Sequence, residues 1–389
     1  MNLAAIGNLC LILIVTAVAG HWSARLNFPP VIGQLLAGVL IGPAVLNWVS
    51  PNNFISVFSE IGVIILMFIG GLESDVSLLK RYLKPSLLVA VAGMILPIIG
   101  AFLVGEFFGL NQTENMFLGV IFAATSVSIS VEVLKNMHKL NSPQGTTILG
   151  AAVVDDVLSI IVLSVLISLE GDQINSSSQL PLWLGIILQV SFFIFLFIMG
   201  RFVVPVLMRL GERWLVPVSE TVMALILCLG SAYLAEKVGL SAAIGAFFAG
   251  LAVGQTKYHR KIDIKVEPIG YAVFIPVFFI SVGLNMTLSG LAADFGLFAV
   301  LTVVSVFSKW LGAGIGAHLA HFDYASSTMI GAGMISRGEM ALIIAQIGFN
   351  AHLLSTDNYS AVIGAIVVTT LLAPFILRAE INQIAKKTA

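Results

Sequence analysis

Gly150-Ala151-Ala152-Val153-Val154-Asp155-Asp156-Val157-Leu158 sets two adjacent carboxylates in the middle of a run, 146–169, that is otherwise nearly free of charge. An ionisable side chain at the centre of a bilayer costs about 2.5–3.5 kcal/mol on insertion scales, so such residues are rare and mark functional sites. Whether this run crosses a membrane therefore decides the fold, and the rest of the chain answers. Of its 389 residues 58% are apolar and 10% carry a formal charge, against about 45–50% and about 25% in an average soluble domain. That balance excludes an ordinary water-soluble enzyme, and the high hydrophobicity excludes a disordered chain. The net charge of -1, from 19 Lys+Arg and 20 Asp+Glu, offers no basic footprint for nucleic acid. Cys10 and Cys228 lie in apolar stretches without metal or disulfide spacing and read as core residues. The chain reads as an all-α polytopic membrane protein.

A spanning helix needs about 20 apolar residues. Thirteen segments approach or meet this: 3–20, 28–47, 55–72, 86–108, 115–134, 146–169, 180–207, 217–236, 239–255, 268–289, 296–320, 326–350 and 358–378. The first has no basic stretch before it and does not read as a cleavable signal peptide. Loop charge supports the count. Loops after odd-numbered segments and the tail hold Arg25, Lys80, Arg81, Lys84, Lys135, Lys139, Arg209, Arg213, Lys257, Arg260, Lys261, Lys265, Arg378, Lys386 and Lys387; loops after even-numbered segments hold Lys237 alone. The positive-inside rule then places the amino terminus outside and the carboxyl terminus in the cytoplasm. No P-loop or dinucleotide fingerprint is present, so no ATP-driven step and no cofactor is expected.

The sequence also repeats itself. Ile32-Gly33, Ala37-Gly38 and Gly42 in segment 2 recur as Ile244-Gly245, Ala249-Gly250 and Gly254 in segment 9, an offset of 212 residues. Gly71-Leu72 and Gly283-Leu284, at the ends of segments 3 and 10, share that offset. Seven segments separate the two copies, so one runs inward and the other outward. Inverted repeats are a signature of secondary transporters, whose sites lie near the midplane between broken helices.

Besides Asp155 and Asp156, three ionisable residues fall well inside spans: Lys309 in segment 11, and Arg337 and Glu339 in segment 12. Glu60, Glu132 and Glu220, close to span ends, read as solvated or capping groups. Adjacent helical residues point about 100° apart, so one aspartate is expected to face Lys309 and the other a watery cavity. Two acids with one lysine leave a negative charge that must bind a proton or a cation. Competition between the two is a chemical basis for cation–proton exchange. Segment 5 carries Thr125, Ser126, Ser128 and Ser130, hydroxyls able to serve unwound backbone or a small cation; for Ser128 and Ser130 ordinary interhelical bonding is the plainer reading. Segment 12 reads Gly331-Ala332-Gly333-Met334-Ile335-Ser336-Arg337-Gly338-Glu339, a poor continuous helix. Both segments are expected to be interrupted near the midplane, with Arg337 and Glu339 holding broken ends rather than cargo. The six histidines show no metal-ligand spacing.

The paired acids at 155–156, Thr125-Ser126 on the preceding span, Lys309 five spans later and Ser336-Arg337-Gly338-Glu339 on the next together resemble the monovalent cation:proton antiporter-2 family, in its NapA-type sodium/proton antiporter branch. The resemblance runs from about residue 5 to 380. It implies the sodium/proton antiporter fold with inverted repeats and two crossed discontinuous helices. Residues 1–80 and 217–290 would form dimer-domain helices, 81–170 and 296–380 the core, and 180–207 the linker. It further implies a homodimer in the cytoplasmic membrane of a prokaryote. Asp156 would be the main carrier of Na+ and H+, Asp155 would trade a salt bridge with Lys309 during the cycle, and Thr125 and Ser126 would complete the cation site. An acid pair with lysine also implies electrogenic exchange by an elevator movement of the core.

Other readings compete. Li+ or K+ could replace Na+, as in a K+/H+ antiporter. A sodium-coupled solute symporter would need an aromatic or basic cluster at the midplane, which is not seen. An intramembrane aspartyl protease needs its acids on different helices, and a cation channel would not place a lysine in its path.

Overall fold

The computed structural model describes residues 3–26, 30–169, 182–285, 294–350, 354 and 356–388. Among these every regular element is helical. In chain order they are α1 (Leu3–Arg25), α2 (Pro30–Ile41), α3 (Asn53–Glu73), α4 (Val76–Arg81), α5 (Leu83–Phe107), α6 (Gln112–Ala123), α7 (Val127–Asn136), α8 (Pro143–Leu169), α9 (Leu182–Ile198), α10 (Val204–Arg213), α11 (Ser219–Lys237), α12 (Ala242–Gly254), α13 (His259–Ile269), α14 (Ile275–Leu284), α15 (Phe295–Leu319), α16 (Tyr324–Gly333), α17 (Glu339–Asn350) and α18 (Thr356–Thr388). Single π-helical turns, Met199–Val203 and Gly270–Phe274, join α9 to α10 and α13 to α14. The expected span ends at 28–29, 180–181 and 286–289, and the side chain of Glu339, lie outside the described residues.

Ten helices among the described residues are long and apolar enough to cross a membrane, the Gln112–Asn136 stretch containing α6 and α7 counting as one. Among the described residues two expected segments, 2 and 9, are shorter than the sequence suggested, and segment 12 is interrupted as expected. Segment 2 is helical only over Pro30–Ile41, because the chain turns at Gly42 and Asn47, where Leu46 N–H donates to Leu40 O and Asn47 takes a positive φ of 51°. Asn tolerates that conformation through its short polar side chain. Segment 9 is Ala242–Gly254, opened by Ser241, whose hydroxyl accepts from Ala243 N–H at 3.2 Å. Segment 12 is two short helices, α16 and α17, separated by Met334–Gly338.

The chain divides into two compact units. One comprises Met1–Asn52, Leu78–Ser177 and Phe279–Ala389; the other comprises Asn53–Ser77 and Ser178–Phe278. The glycine repeat has a structural meaning in each. In the first unit a Cβ on Gly38 would stand 2.2 Å from Ile280 O, and one on Gly283 would stand 2.5 Å from Leu35 O and 2.6 Å from Val39 N. In the second, a Cβ on Gly250 would stand 2.1 Å from Phe68 O, and one on Gly71 would stand 2.1 Å from Phe247 O and 2.9 Å from Leu251 N. Each atom of one set is its counterpart in the other shifted by 212 residues. Gly33 against Ala19 O (2.3 Å) and Gly245 against Ser231 O (2.2 Å) repeat the relation. These glycines let one helix backbone rest on another with no side chain between.

Gly38→Ala, Gly71→Ala and Gly250→Ala are each expected to lower stability by about 1–3 kcal/mol, since the added methyl meets backbone rather than a movable side chain. Gly230 on α11 has open space within 4 Å, so Gly230→Ala should be neutral or gain up to about 1 kcal/mol from helix propensity. Thermal melting of the detergent-purified variants separates the two outcomes; equal melting of all four would overturn the packing argument.

Candidate functional site

All the site residues belong to the first unit. α8 runs unbroken through Pro143–Leu169 and carries Asp155 and Asp156 inward, 0% and 2% exposed. Two neighbouring helices are interrupted. Between α6 and α7 the backbone is extended, with Ala124 at φ -60°, ψ 143° and Ser126 at φ -90°, ψ 113°. Between α16 and α17 it leaves the helix from Met334 to Gly338. Non-helical backbone at this depth must find partners inside the protein, and here the two interruptions supply each other. Ser126 N–H donates to Ser336 O at 2.8 Å, and Ser336 Oγ donates to Ser126 O at 2.9 Å. Ser130 Oγ donates to Gly333 O at 2.5 Å and lies 3.2 Å from Ser336 Oγ. A Cβ on Gly338 would fall 2.5 Å from Ser126 Oγ; Ser126 and Gly338 are again 212 residues apart.

Lys309, on α15 and fully buried, closes the ring. Its Nζ donates to Asp155 Oδ2 at 3.0 Å and to Ala123 O at 2.5 Å, and Thr125 Oγ1 donates to the same Asp155 oxygen at 2.5 Å. Ala123 is the last residue of α6, so the ammonium also meets the partial negative charge of a helix C-terminus. The ion pair excludes solvent on both sides, which makes its hydrogen bonds strong and its rupture costly. Asp155 Oδ1 and the hydroxyls of Ser126, Ser128 and Ser159 are buried with no hydrogen-bond partner among the described residues. The arrangement is a fixed cation beside two adjacent carboxylates and several oxygens still open to ligation, the donor set that suits a hard monovalent cation or a proton.

Arg337 is buried too. It donates from Nη1 to Met334 O at 3.4 Å and from Nη2 to Ser305 O at 3.2 Å, and Thr370 Oγ1 donates to its carbonyl. It thus ties the interrupted strand of segment 12 to α15 one turn before Lys309. A second buried cation therefore lies within electrostatic reach of Asp155 and Lys309, beyond the one lysine counted against two acids in the sequence. Glu339 opens α17. Ala123 O, Ser305 O and Thr370 carry no mark in the sequence; carbonyl direction at an unwound segment has no pattern.

Two of the acids read as solvated or capping groups are buried. Glu132 is buried within α7 and accepts from Asn136 Nδ2 at 2.7 Å. Glu220, in the second unit, is buried and ion-paired with Lys261 from the 259–269 helix.

Residues 10–381 match the family of transmembrane sodium/hydrogen exchangers. A Na(+)/H(+) antiporter of Enterococcus hirae is 49% identical over 374 residues, covering 96% of this chain and 97% of that protein. The Na(+)/H(+)-K(+) antiporter GerN of Bacillus cereus is 43% identical over 375 residues, covering 95% and 94%. The solved structure of a sodium proton antiporter from Methanocaldococcus jannaschii superposes with a TM-score of 0.78 at 20% identity, over 100% of this chain and 98% of that one, a likeness of fold. A family match across nearly the whole chain, joined to near-half identity with a full-length relative, means that this protein belongs to the sodium/hydrogen exchanger family.

Proposed function

We propose that this protein is a secondary active transporter that exchanges Na+ for H+ across a prokaryotic cytoplasmic membrane. The observation that carries the reading is the buried Lys309–Asp155 pair, which leaves Asp155 Oδ1 without a partner beside an equally buried Asp156. With Asp156 ionised, Na+ sits between the two carboxylates and the Thr125–Ser126 oxygens; protonation of the carboxylates displaces it. An ionised Asp156 holding neither ion nor proton moves poorly through hydrocarbon, so the site shifts loaded with ion or with protons and the fluxes are coupled.

The family relation supports Na+ first, and the Na(+)/H(+)-K(+) name of the Bacillus relative keeps K+ as the second candidate; Li+ follows Na+ on size. The finer picture is part of the proposal. Thirteen crossings include the short α2 and α12 and the interrupted α16–α17. The two interruptions, bonded through Ser126 and Ser336, cross one another. The amino terminus lies outside and the carboxyl terminus inside. Helices within 81–170 and 296–380 act as the moving core of an elevator, and those within 1–80 and 217–290 hold a second copy in a homodimer, with 180–207 as linker. The glycine contacts of Gly38 with Ile280, and of Gly250 with Phe68, pair segment 2 with segment 10 and segment 3 with segment 9. Membrane potential acts on net charge moved at about 2.3 kcal/mol per charge per 100 mV, which lets an electrogenic cycle extrude Na+ uphill.

The test is dye-reported dissipation of a preformed pH gradient in proteoliposomes, adding Na+, Li+ or K+ in turn, with and without valinomycin. Dissipation by Na+ is expected, altered when valinomycin clamps the potential. A gradient untouched by all three cations would end the exchange reading.

A further inference from the structure

Ser159 is 1% exposed, and its hydroxyl has no hydrogen-bond partner among the described residues. A helical serine ordinarily returns its proton to a carbonyl one turn back, and a buried hydroxyl left without any partner carries an uncompensated desolvation penalty. Its position gives that orphan a context. On α8 it follows Asp156 by three residues and Asp155 by four, so it projects between the directions of the two acids, one turn further on. Beyond it the same face turns apolar: Leu163 and Leu166 are buried in a cluster with Phe117, Phe122 and Leu301. Ser159 is therefore the polar group at the margin between the acid pair and a hydrophobic seal.

The acid pair has a matching gap. Asp155 spends Oδ2 on both Lys309 and Thr125, while Oδ1 has no partner. Side chains one helical turn apart stand about 5–6 Å apart at Cβ. The two unpartnered, buried oxygens extend from Cβ atoms at that spacing, which lets them reach one small cation or one water between them.

We propose that Ser159 is a further cation ligand of this transporter, its hydroxyl oxygen completing the shell of the ion on the side of Asp155 and Asp156 that faces the C-terminal end of α8. The inference rests on the Na+/H+ exchange reading and deepens it. A hydroxyl is neutral and exchanges no proton in the working range, so its removal weakens cation binding without altering the protonation half of the cycle. A residue with a merely structural role would lower turnover instead.

The experiment reconstitutes wild type, Ser159→Ala and Ser159→Thr in proteoliposomes and titrates Na+ at several fixed pH values. Ser159→Ala is expected to raise the apparent KM for Na+ by about fivefold to tenfold, the size of one lost ligand bond. The rate at saturating Na+ and its pH profile should stay as in wild type, and Ser159→Thr, which keeps the oxygen, should restore the wild-type KM. An unchanged KM in Ser159→Ala, or an equal rise in Ser159→Thr, overturns the assignment. If Ser159→Ala does not assemble, Ser159→Cys, of similar volume and a poor ligand for a hard cation, is read in the same way. Wild-type vesicles that show no Na+-dependent proton movement would instead sink the exchange reading beneath it.

Discussion

Asp156→Asn is expected to reach the membrane folded and to reduce Na+-driven proton movement to the background of empty vesicles. The replacement is isosteric and removes a buried charge, so packing around α8 has no reason to fail; Asp156 is 2% exposed, and neighbouring Asp155 keeps its bonds to Lys309 and Thr125. What disappears is the group able to hold either a metal ion or a proton. An amide binds Na+ weakly and releases no proton in the physiological range. The remaining acid is already committed to the lysine, so the variant cannot alternate between loaded forms. The measurement is the pH-gradient assay in proteoliposomes, with thermal melting as the control for folding. Exchange at the wild-type rate in this variant would remove Asp156 from the mechanism and, with it, the competition between Na+ and H+ that couples the fluxes.

The same logic of charge in hydrocarbon explains how far the sequence could be read. A lysine and two aspartates in apolar runs had to find each other, and an ion pair of Lys309 with one of the two is legible on that ground alone. Which aspartate takes the lysine was not legible from helix geometry and was named only by the family resemblance, because the choice depends on the rotation of α8 and on Thr125 and Ala123 O at the break in segment 5. Glycine content flagged the interruption of segment 12, and the 212-residue offset placed it opposite segment 5; the bonds between Ser126 and Ser336 depend on backbone directions that no residue pattern carries. The repeat was visible as matching glycines, whereas their partners were not: Gly38 meets Ile280 and Gly283, far along the chain. Glu220 misled for a related reason. It sits at the start of a helix, where solvation is the default, and its burial depends on Lys261, 41 residues away. Residues paired across long separations escape any reading based on local periodicity.

Lys309→Met tests the ion pair itself. Truncating one partner of a buried pair leaves the other charge uncompensated, a loss of about 3–5 kcal/mol. Asp155 would keep only the Thr125 hydroxyl, and the carbonyl of Ala123 would lose its ammonium donor. The variant should therefore melt well below wild type. Replacing both partners is a different case, since two neutral groups of similar shape can be close to neutral in stability. The double variant Asp155→Asn/Lys309→Met is expected to recover most of the loss, giving a coupling energy of about 2–3 kcal/mol in a double-mutant cycle. Additive losses would mean that the pair, though 3.0 Å apart, contributes no interaction of its own. The transport readout then separates stability from mechanism. Asp156 survives in the double variant, so exchange should persist; the pair is neutral as a unit, so the charge moved per cycle changes only through the proton Lys309 would release when Asp155 takes the ion, and the double variant lacks that proton step. Its rate should lose the response to a valinomycin-imposed potential that the wild type shows. A double variant that is stable, active and as potential-sensitive as wild type would confine Lys309 to holding the broken end of the Gln112–Ala123 helix.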